Sequence, residues 1–487
     1  MHNRVSAAHQ WFAGTSTLLL AAIVVLALAA CSDDDDLTGP SGSIAVTDLA
    51  LRPGTDAGPL AVATFNADGA DSARAWFLAP GAEPRATPFA PVSGGAGRIV
   101  IAPLVPSTDY QIYIEARAGD EFGSSNTLDF STTALPEALR NVRMDMTVGT
   151  FPGGFILSEV AASDSTLYAV AFDSTGKLVW YRHFPDYSQI GDFQQQPNGN
   201  YTIYLGTSTG HEPVPGEYAE FTTAGDITHV WKVPGPYYTD GHEIRFVMED
   251  TSVVAAYLFG YDQHEMDMTS HGGGTSDLVS VHKIFRVAPD GSADLLFDAM
   301  DRWTPADFIS PPLTDTGDFD HPNSLDVDSD GNIVVSWRSL GAITKHDATT
   351  GDVIWQLGGT KSDFSIENDP LNGFSGQHFA RMLPDEHLLL YDNGTAHDPN
   401  VTRPVEYALD PDAGTATMAW DYLSPDHIYT TYMGSTQRLP NGNTLIGYST
   451  SAIITLVDPA GTVIASGSKM DGGNSSIFYR AVWAAGL

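Results

Sequence analysis

The 487-residue chain has a single cysteine, Cys31. No disulfide can form within it, so stability has to come from buried apolar surface. Basic residues are scarce as well: 23 Lys and Arg stand against 60 Asp and Glu, for a formal net charge of −37. A surface of that sign repels polyanions, which sets nucleic acid aside as a partner. A small anionic substrate would have to be drawn in by a local cluster of Arg and His. Beyond the N-terminal segment no apolar run is long and charge-free enough to span a bilayer, and no stretch reads as a long amphipathic helix. The length exceeds one ordinary core and predicts two folded domains behind a processed N-terminus.

That N-terminus carries Arg4, an apolar run from Leu18 to Ala30 and small residues up to Cys31, the pattern of a secretory signal over residues 1–31. Leu28-Ala29-Ala30-Cys31 resembles a bacterial lipoprotein box. The resemblance implies that Cys31 becomes the lipidated first residue of the mature protein. Residues 32–41, with Asp33 to Asp36, form a self-repelling, extended acidic tether. The expectation is an exported protein, lipid-anchored to the bacterial cell envelope on its periplasmic or cell-surface side, with no other membrane contact.

From 42 to 136 short β-rich runs alternate with Gly/Pro/Ser turns, among them Ala61-Val62-Ala63-Thr64-Phe65 and Tyr110-Gln111-Ile112-Tyr113-Ile114-Glu115. Period-2 patterning at this spacing predicts a small β-sandwich. The stretches Leu104-Val105-Pro106-Ser107-Thr108-Asp109-Tyr110 and Phe130-Ser131-Thr132-Thr133 resemble a fibronectin type III module.

Residues 137–487 carry an internal repeat. Six turns rich in Asp and Gly lead into β-rich strands: Asp173 to Trp180, Thr223 to Trp231, Pro289 to Phe297, Thr349 to Trp355, Asp412 to Trp420 and Asp458 to Ile464. A second turn class interleaves with these and starts at Pro197, Glu249, Ser329, Pro384 and Pro440. Successive starts differ by 52, 80, 55 and 56 residues, a constant period apart from one insertion. Two hairpins per repeat make four strands, and six four-stranded units predict an all-β, six-bladed β-propeller. The run Phe478 to Trp483 is placed to pair with the first strands and close the ring.

Aligning the second turn class brings out one residue type: His242 precedes its turn by seven residues, His321 by eight and His378 by six. Gly191 and Ser435 hold the equivalent places elsewhere, so the repeat itself does not require histidine. If the strand entering this turn is the innermost one, the three histidines converge at one mouth of the central channel. Residues equidistant from a hairpin turn face each other. A turn centred between Asp330 and Gly331 sets Asn323 opposite Arg338, and one between Asp385 and Glu386 sets His378 opposite Asn393, with a bulge shifting either pairing by one residue. Arg338 would offer a planar fork of donors to a tetrahedral oxyanion.

Asp240-Gly241-His242-Glu243, Asp320-His321-Pro322-Asn323-Ser324 with Arg338, and Gln377-His378-Phe379-Ala380-Arg381 with Asp392-Asn393-Gly394 resemble the PAPS-independent aryl-sulfate sulfotransferases, over roughly residues 140 to 487. The resemblance implies a transferase that moves a sulfuryl group from an aryl sulfate to a phenolic acceptor by a ping-pong mechanism, without cofactor or metal. His378 matches the histidine that becomes transiently sulfated; His242, His321, Asn323 and Arg338 match the sulfate-binding set, and Asn393 is a further substrate-binding candidate. Homodimerisation is left open.

Asp326-Val327-Asp328-Ser329-Asp330-Gly331 has the start of a calcium loop, but Trp337 stands where an EF-hand needs its bidentate Glu, so it reads as a hairpin turn. The insertion with His264, Glu265, Asp267, His271 and His282 offers transition-metal ligands, yet its irregular spacing and Gly272-Gly273-Gly274 predict a mobile loop over the channel. Two other functions remain compatible with the sequence: a propeller hydrolase or lactonase, with or without a channel metal, and a non-catalytic cell-surface binding module.

Overall fold

Each of the six Asp/Gly turns joins the third and fourth strands of an antiparallel sheet. The computed structural model describes residues 37–161, 166–207, 216–309, 319–471 and 474–487, so the signal segment, Cys31 and the Asp33–Asp36 run lie outside the described residues. The six strand pairs are Leu167–Phe172 with Leu178–His183, Gly216–Phe221 with Ile227–Trp231, Asp277–Val287 with Ala293–Asp298, Ala342–His346 with Val353–Gly358, Arg403–Asp410 with Thr415–Asp421, and Ile453–Val457 with Val463–Asp471. The second turn class joins first to second strands: Gln189–Gln195 to Tyr201–Gly206, Tyr238–Glu249 to Ser252–Met266, Pro322–Val327 to Ile333–Trp337, His378–Leu383 to His387–Asp392, and Ser435–Arg438 to Thr444–Tyr448.

First strands of successive sheets pack against one another: Tyr238–Glu249 meets Gln189–Gln195 on one side and Pro322–Val327 on the other, and Pro322–Val327 meets His378–Leu383. Closure uses both ends of the region. Val482–Ala484 pairs with Phe155–Ala161, and Arg143–Val148 pairs with Val463–Asp471. The described residues contain no α-helix, and the arrangement is all-β and propeller-like.

Burial on both faces of each sheet explains the repeated aromatic residues at the strand ends. Trp180 is fully buried and stacks on Phe193, Tyr201 and Phe221 of the next sheet, with ring centroids 5.9, 5.7 and 6.4 Å away. Trp231 makes the same step one sheet on, packing on Phe246 at 5.2 Å while its indole N–H donates to Glu220 at 3.0 Å.

The region before Pro136 forms two sheets, one of Thr47–Arg52, Ala61–Asn66 and Ala96–Ile101, the other built on Ser72–Leu78, Asp109–Ala118 and Leu128–Ser131. They share a core that includes Phe65, Phe77, Ile99, Tyr110 and Ile112. This region also joins the larger one. Ala57–Gly58 adds a short strand beside Tyr181 and Arg182, Leu60 and Val62 pack into the cluster around Trp180, and Asp226 accepts from Arg52, Arg98 and Thr55. Residues Leu37–Leu487 form one compact unit. Leu60, 2% exposed in this seam, should lose roughly 2–5 kcal/mol of stability on Leu60→Ala. Asp226→Asn should lose under about 1 kcal/mol, because its arginine partners are partly solvated. Urea denaturation of the two variants checks the contrast.

The insertion is a correction to the sequence reading. Instead of a mobile loop, residues 252–287 form one long hairpin whose register runs unbroken from Ala256↔Val287 to Met266↔Asp277. Met266, Met268, Val279 and Val281 are buried with Trp303, Phe308 and Phe319. The glycines form the tip, where Met268 N–H donates to Gly274 O. His264 meets Asp262 and His271 meets the Pro305 carbonyl, while His282 lies within the core, so the five candidate ligands do not converge. The Asp326–Gly331 segment is a hairpin turn in which Asp328 accepts the backbone N–H groups of Asp330 and Asn332 at 2.9 Å.

Candidate active site

His242 lies in Tyr238–Glu249, His321 directly precedes Pro322–Val327, and His378 heads His378–Leu383. Their adjacent strands bring them together. The His242 and His321 ring centroids are 4.7 Å apart. His378 is buried, and burial followed by the Arg338 charge, with His321 and His242 adding to it, holds its imidazole well below the ordinary range against the opposing hydrogen bond that it donates to Asn393.

The tautomer of His378 follows from its neighbours. Nδ1 faces two acceptors, Asn393 Oδ1 at 2.7 Å and Gly376 O at 3.0 Å, and so carries the proton. Asn393 is fixed in turn, since its Nδ2 donates to Thr430 O at 2.9 Å and Met433 O at 3.1 Å. Nε2 therefore holds the lone pair, met by the Met433 N–H at 3.2 Å. Met433 has φ 60° and Gly434 φ 105°; a Cβ on Gly434 would come within 2.3 Å of the Tyr391 ring, so glycine is needed to seat this loop.

Asn323 is completely buried and donates from Nδ2 to Gln377 O at 2.7 Å, which uses one of its two amide hydrogens. Its own carbonyl accepts from Arg480 at 2.7 Å. Arg338 donates its backbone N–H to His321 O at 2.9 Å and reaches Thr431 O with its guanidinium at 3.5 Å.

Both expected cross-strand pairings need correction by two residues. Arg338 lies opposite His321 rather than Asn323, and His378 pairs with Tyr391 rather than Asn393. The left-handed residues in the turns, Gly331 at φ 83° and Asp385 at φ 61°, move each centre by half a residue, which changes the pairing by one. A bulge beside His321 (φ 48°) and Phe379 (φ 51°) shifts it by another. The His378–Asn393 pair survives because the two side chains still meet. Asn393 reaches His378 through its amide, two residues from its strand partner.

Around these residues lies a shell that the repeat alignment did not single out. His242 Nδ1 is 2.7 Å from Asp240 Oδ1, Asp240 Oδ2 is 3.5 Å from His282 Nε2, and His282 Nδ1 is 2.5 Å from Asp320 Oδ1. Burial pushes the Asp240 carboxyl up, but His242 and His282 outweigh it and hold the group far below the usual carboxylate range. Tyr479 brings its hydroxyl to the His242 carbonyl at 3.3 Å. Beneath the histidines, Glu243 pairs with Arg245 and Arg381 at 2.7 Å and with Arg480 at 3.0 Å, and Arg480 also binds Asp192. The Asp residues before His242 and His321 were visible as a sequence signal. Tyr479 and Arg480 arrive from the chain's end and have no local signature.

Among the described residues no group of three or more His, Cys, Asp or Glu is set to hold a metal ion. A cavity of about 470 Å³ lies toward the hairpin ends of the first strands, lined by Gln195, Gln196, Arg245, Phe246 and Asp326, and touches none of the three histidines.

The chain is all-β and propeller-like, and it gathers three histidines and an arginine where its first strands meet. The family model described as arylsulfotransferase (ASST) matches residues 141–484, and the chain belongs to that family. Membership implies a transferase enzyme with arylsulfotransferase activity, acting between an aryl sulfate donor and a phenol. No curated protein matches the chain. Among solved structures it is similar to virginiamycin B lyase from Staphylococcus aureus, at 10% identity over 67% of this chain and 88% of that one, with a TM-score of 0.34. It is also similar to regucalcin from Agrobacterium tumefaciens (11%, 69% and 95%, TM-score 0.32) and to PQQ-bound aldose sugar dehydrogenase from Streptomyces coelicolor (13%, 70% and 98%, TM-score 0.32). Likenesses this distant carry no functional weight.

Proposed function

We propose that the protein transfers a sulfuryl group from an aryl sulfate to a phenol, independently of PAPS, in two half-reactions through a sulfohistidine at His378. The observation that carries this reading is the fixed tautomer of His378. Nδ1–H is held by Asn393 and Gly376, and an unprotonated Nε2, met by the Met433 N–H, belongs to a ring that feels the charge of Arg338 and the rings of His321 and His242. In the first half-reaction the Nε2 lone pair attacks sulfur, the bond from sulfur to the aryl oxygen breaks, and the phenolate leaves with the electron pair and takes a proton from a neighbouring histidine. In the second, the acceptor phenol gives its proton to that histidine, its oxygen attacks sulfur, and the N–S bond returns its pair to Nε2.

Charge in a loose sulfuryl-transfer state spreads over the three equatorial oxygens, by analogy with phosphoryl transfer. Arg338 and the second amide hydrogen of Asn323 would meet these oxygens. The Met433 N–H, released once Nε2 bonds sulfur, is placed to join them. On this reading the six four-stranded sheets of residues 137–487 are the blades of one propeller, residues 42–136 are a fibronectin type III-like sandwich beside it, and a lipid on Cys31 holds both at the cell envelope.

Initial rates with varied aryl sulfate and phenol should give parallel double-reciprocal lines, and the donor's phenol should be released before acceptor is added. Release that requires the acceptor would overturn the covalent mechanism.

A further inference from the structure

Asp392 is fully buried beside Asn393, and nothing in the chemistry above uses it. One of its carboxylate oxygens, Oδ1, accepts the backbone N–H of Ser375 at 3.0 Å and that of Gly394 at 2.8 Å. Each of these residues is the chain neighbour of an acceptor of His378 Nδ1. Ser375 precedes Gly376, whose carbonyl lies 3.0 Å from Nδ1, and Gly394 follows Asn393, whose Oδ1 lies 2.7 Å from it. The two turns also meet directly: Gly394 N–H donates to Ser375 O at 2.9 Å, and a Cβ on Gly376, at φ 63°, would come within 2.7 Å of Thr395 Oγ1. The second oxygen, Oδ2, is held from behind. His397 Nε2 stands 2.8 Å from it and, facing a carboxylate, carries its proton, while Arg403 Nε donates at 3.3 Å. Arg403 is fully buried too, and it reaches Asp369 at 2.8 and 2.9 Å, Asp421 at 3.1 Å and the Gly373 carbonyl at 3.0 Å. A carboxylate this deep needs such partners, and here they tie it to the chain that leads into Gly376 and His378.

We propose that Asp392, backed by His397 and Arg403, is a positioning residue that sets the tautomer of His378: it clamps the Ser375–Gly376 turn to the Asn393–Gly394 turn, keeps two acceptors on Nδ1 and so leaves the lone pair on Nε2. The inference rests on the sulfuryl-transfer reading above. Thr430 O and Met433 O act on the amide end of Asn393. Gly376 O is a backbone acceptor, and its place depends on the turn whose Ser375 N–H Asp392 holds. The arrangement matters because a ring nitrogen that carries its proton cannot attack sulfur. Every molecule with the proton on Nε2 is idle, and the rate of sulfation scales with the fraction protonated on Nδ1.

The test uses the full chain with 15N-labelled histidine, in wild type and in Asp392→Asn, His397→Ala and His397→Gln, the His378 signal being identified by its loss in His378→Ala. Wild-type His378 should carry its proton on Nδ1. Asp392→Asn should move a measurable fraction of it to Nε2, and His397→Ala, which leaves the Arg403–Asp392 pair in place, a smaller one. His397→Gln, whose amide can still donate to Oδ2, should recover most of that loss. In single turnovers Asp392→Asn should slow phenol release at saturating aryl sulfate roughly 10- to 100-fold, the scale for partners that orient metal-bound histidines. The donor concentration giving half the maximal rate should stay where it is, because Asp392 is buried away from the sulfuryl oxygens. A wild-type tautomer in both Asp392→Asn and His397→Ala, or a loss confined to half-saturation, would overturn the clamp. Should Asp392→Asn not fold, the contrast between His397→Ala and His397→Gln decides it. Wild-type protein that moves no sulfuryl group from any donor would sink the proposed function, while the labelled histidines still decide the clamp.

Discussion

His378→Ala should abolish turnover, a loss of roughly 10⁶-fold on the scale seen when a covalent nucleophile is removed, and with it all labelling of the peptide around residue 378. Wild-type protein mixed with an aryl sulfate and quenched without acceptor should gain one sulfuryl group there, and a phenol should discharge it. Asn393→Leu should keep the imidazole but loosen its tautomer, since the 2.7 Å bond to Nδ1 and the ties to Thr430 and Met433 go, leaving only the Gly376 carbonyl at 3.0 Å to hold Nδ1–H. The expected cost is about 10²-fold in the first half-reaction. Burial and the Arg338 charge keep the folded pKa of His378 well below the ordinary 6.5. The nucleophile therefore stays neutral into mild acid, and sulfation should show no acid limb from His378 near that value. The sign for stability follows: the unfolded chain binds this proton more readily, so His378 makes the fold progressively less stable as pH falls below about 6.5. Mass mapping of the quenched adduct and single-turnover rates against pH check these outcomes, and a label on any other residue would refute the assignment.

The strand plan was legible because turn chemistry repeats. Both turn classes fall where their spacing put them, and the one long interval is a lengthened hairpin at Ser252–Met266 and Asp277–Val287. The convergence of His242, His321 and His378 was legible for the same reason: equal places in adjacent repeats become neighbours in space. Register was not. Counting outward from Asp330 and Gly331 allows for a one-residue bulge but assumes a symmetric turn, whereas the left-handed Gly331 displaces the pairing by one residue and the bulge beside the left-handed His321 by another. His282 was misplaced because a lengthened hairpin and a surface loop have similar composition around Gly272, and only the buried methionines and valines packed on Trp303 separate them. Closure by the run Phe478 to Trp483 was expected and Val482–Ala484 does pair with Phe155–Ala161, but the contacts this gives Tyr479 and Arg480, to His242, Asn323 and Asp192, join residues far apart in the chain and have no local signal.

Glu243→Gln should be the most destabilising conservative change in the centre of the molecule. Glu243 is fully buried, and one carboxylate serves three guanidinium groups, those of Arg245, Arg381 and Arg480, as well as the Leu325 backbone N–H at 3.1 Å. Burial pushes this carboxyl up, but the three arginines outweigh it and hold it at about 2. Replacing the charge by an amide of the same shape leaves buried guanidinium groups short of a counter-ion, a defect that typically costs 3–5 kcal/mol. The double variant Glu243→Gln/Arg381→Met should lose less than the sum of the single changes, because it removes charge in a pair. The acid dependence has a definite sign. A depressed carboxylate pKa contributes stability above its unfolded value of about 4.5, and that contribution disappears as pH falls toward 2. Activity should fall along with stability, since Arg480 bridges Glu243 to the Asn323 carbonyl at 2.7 Å and so ties the buried charges to a residue proposed to hold the sulfuryl oxygens. Urea denaturation at pH 7 and at pH 4 should find the wild-type advantage over Glu243→Gln reduced at the lower pH; an advantage that does not change between the two would show that the arginines do not depend on this charge.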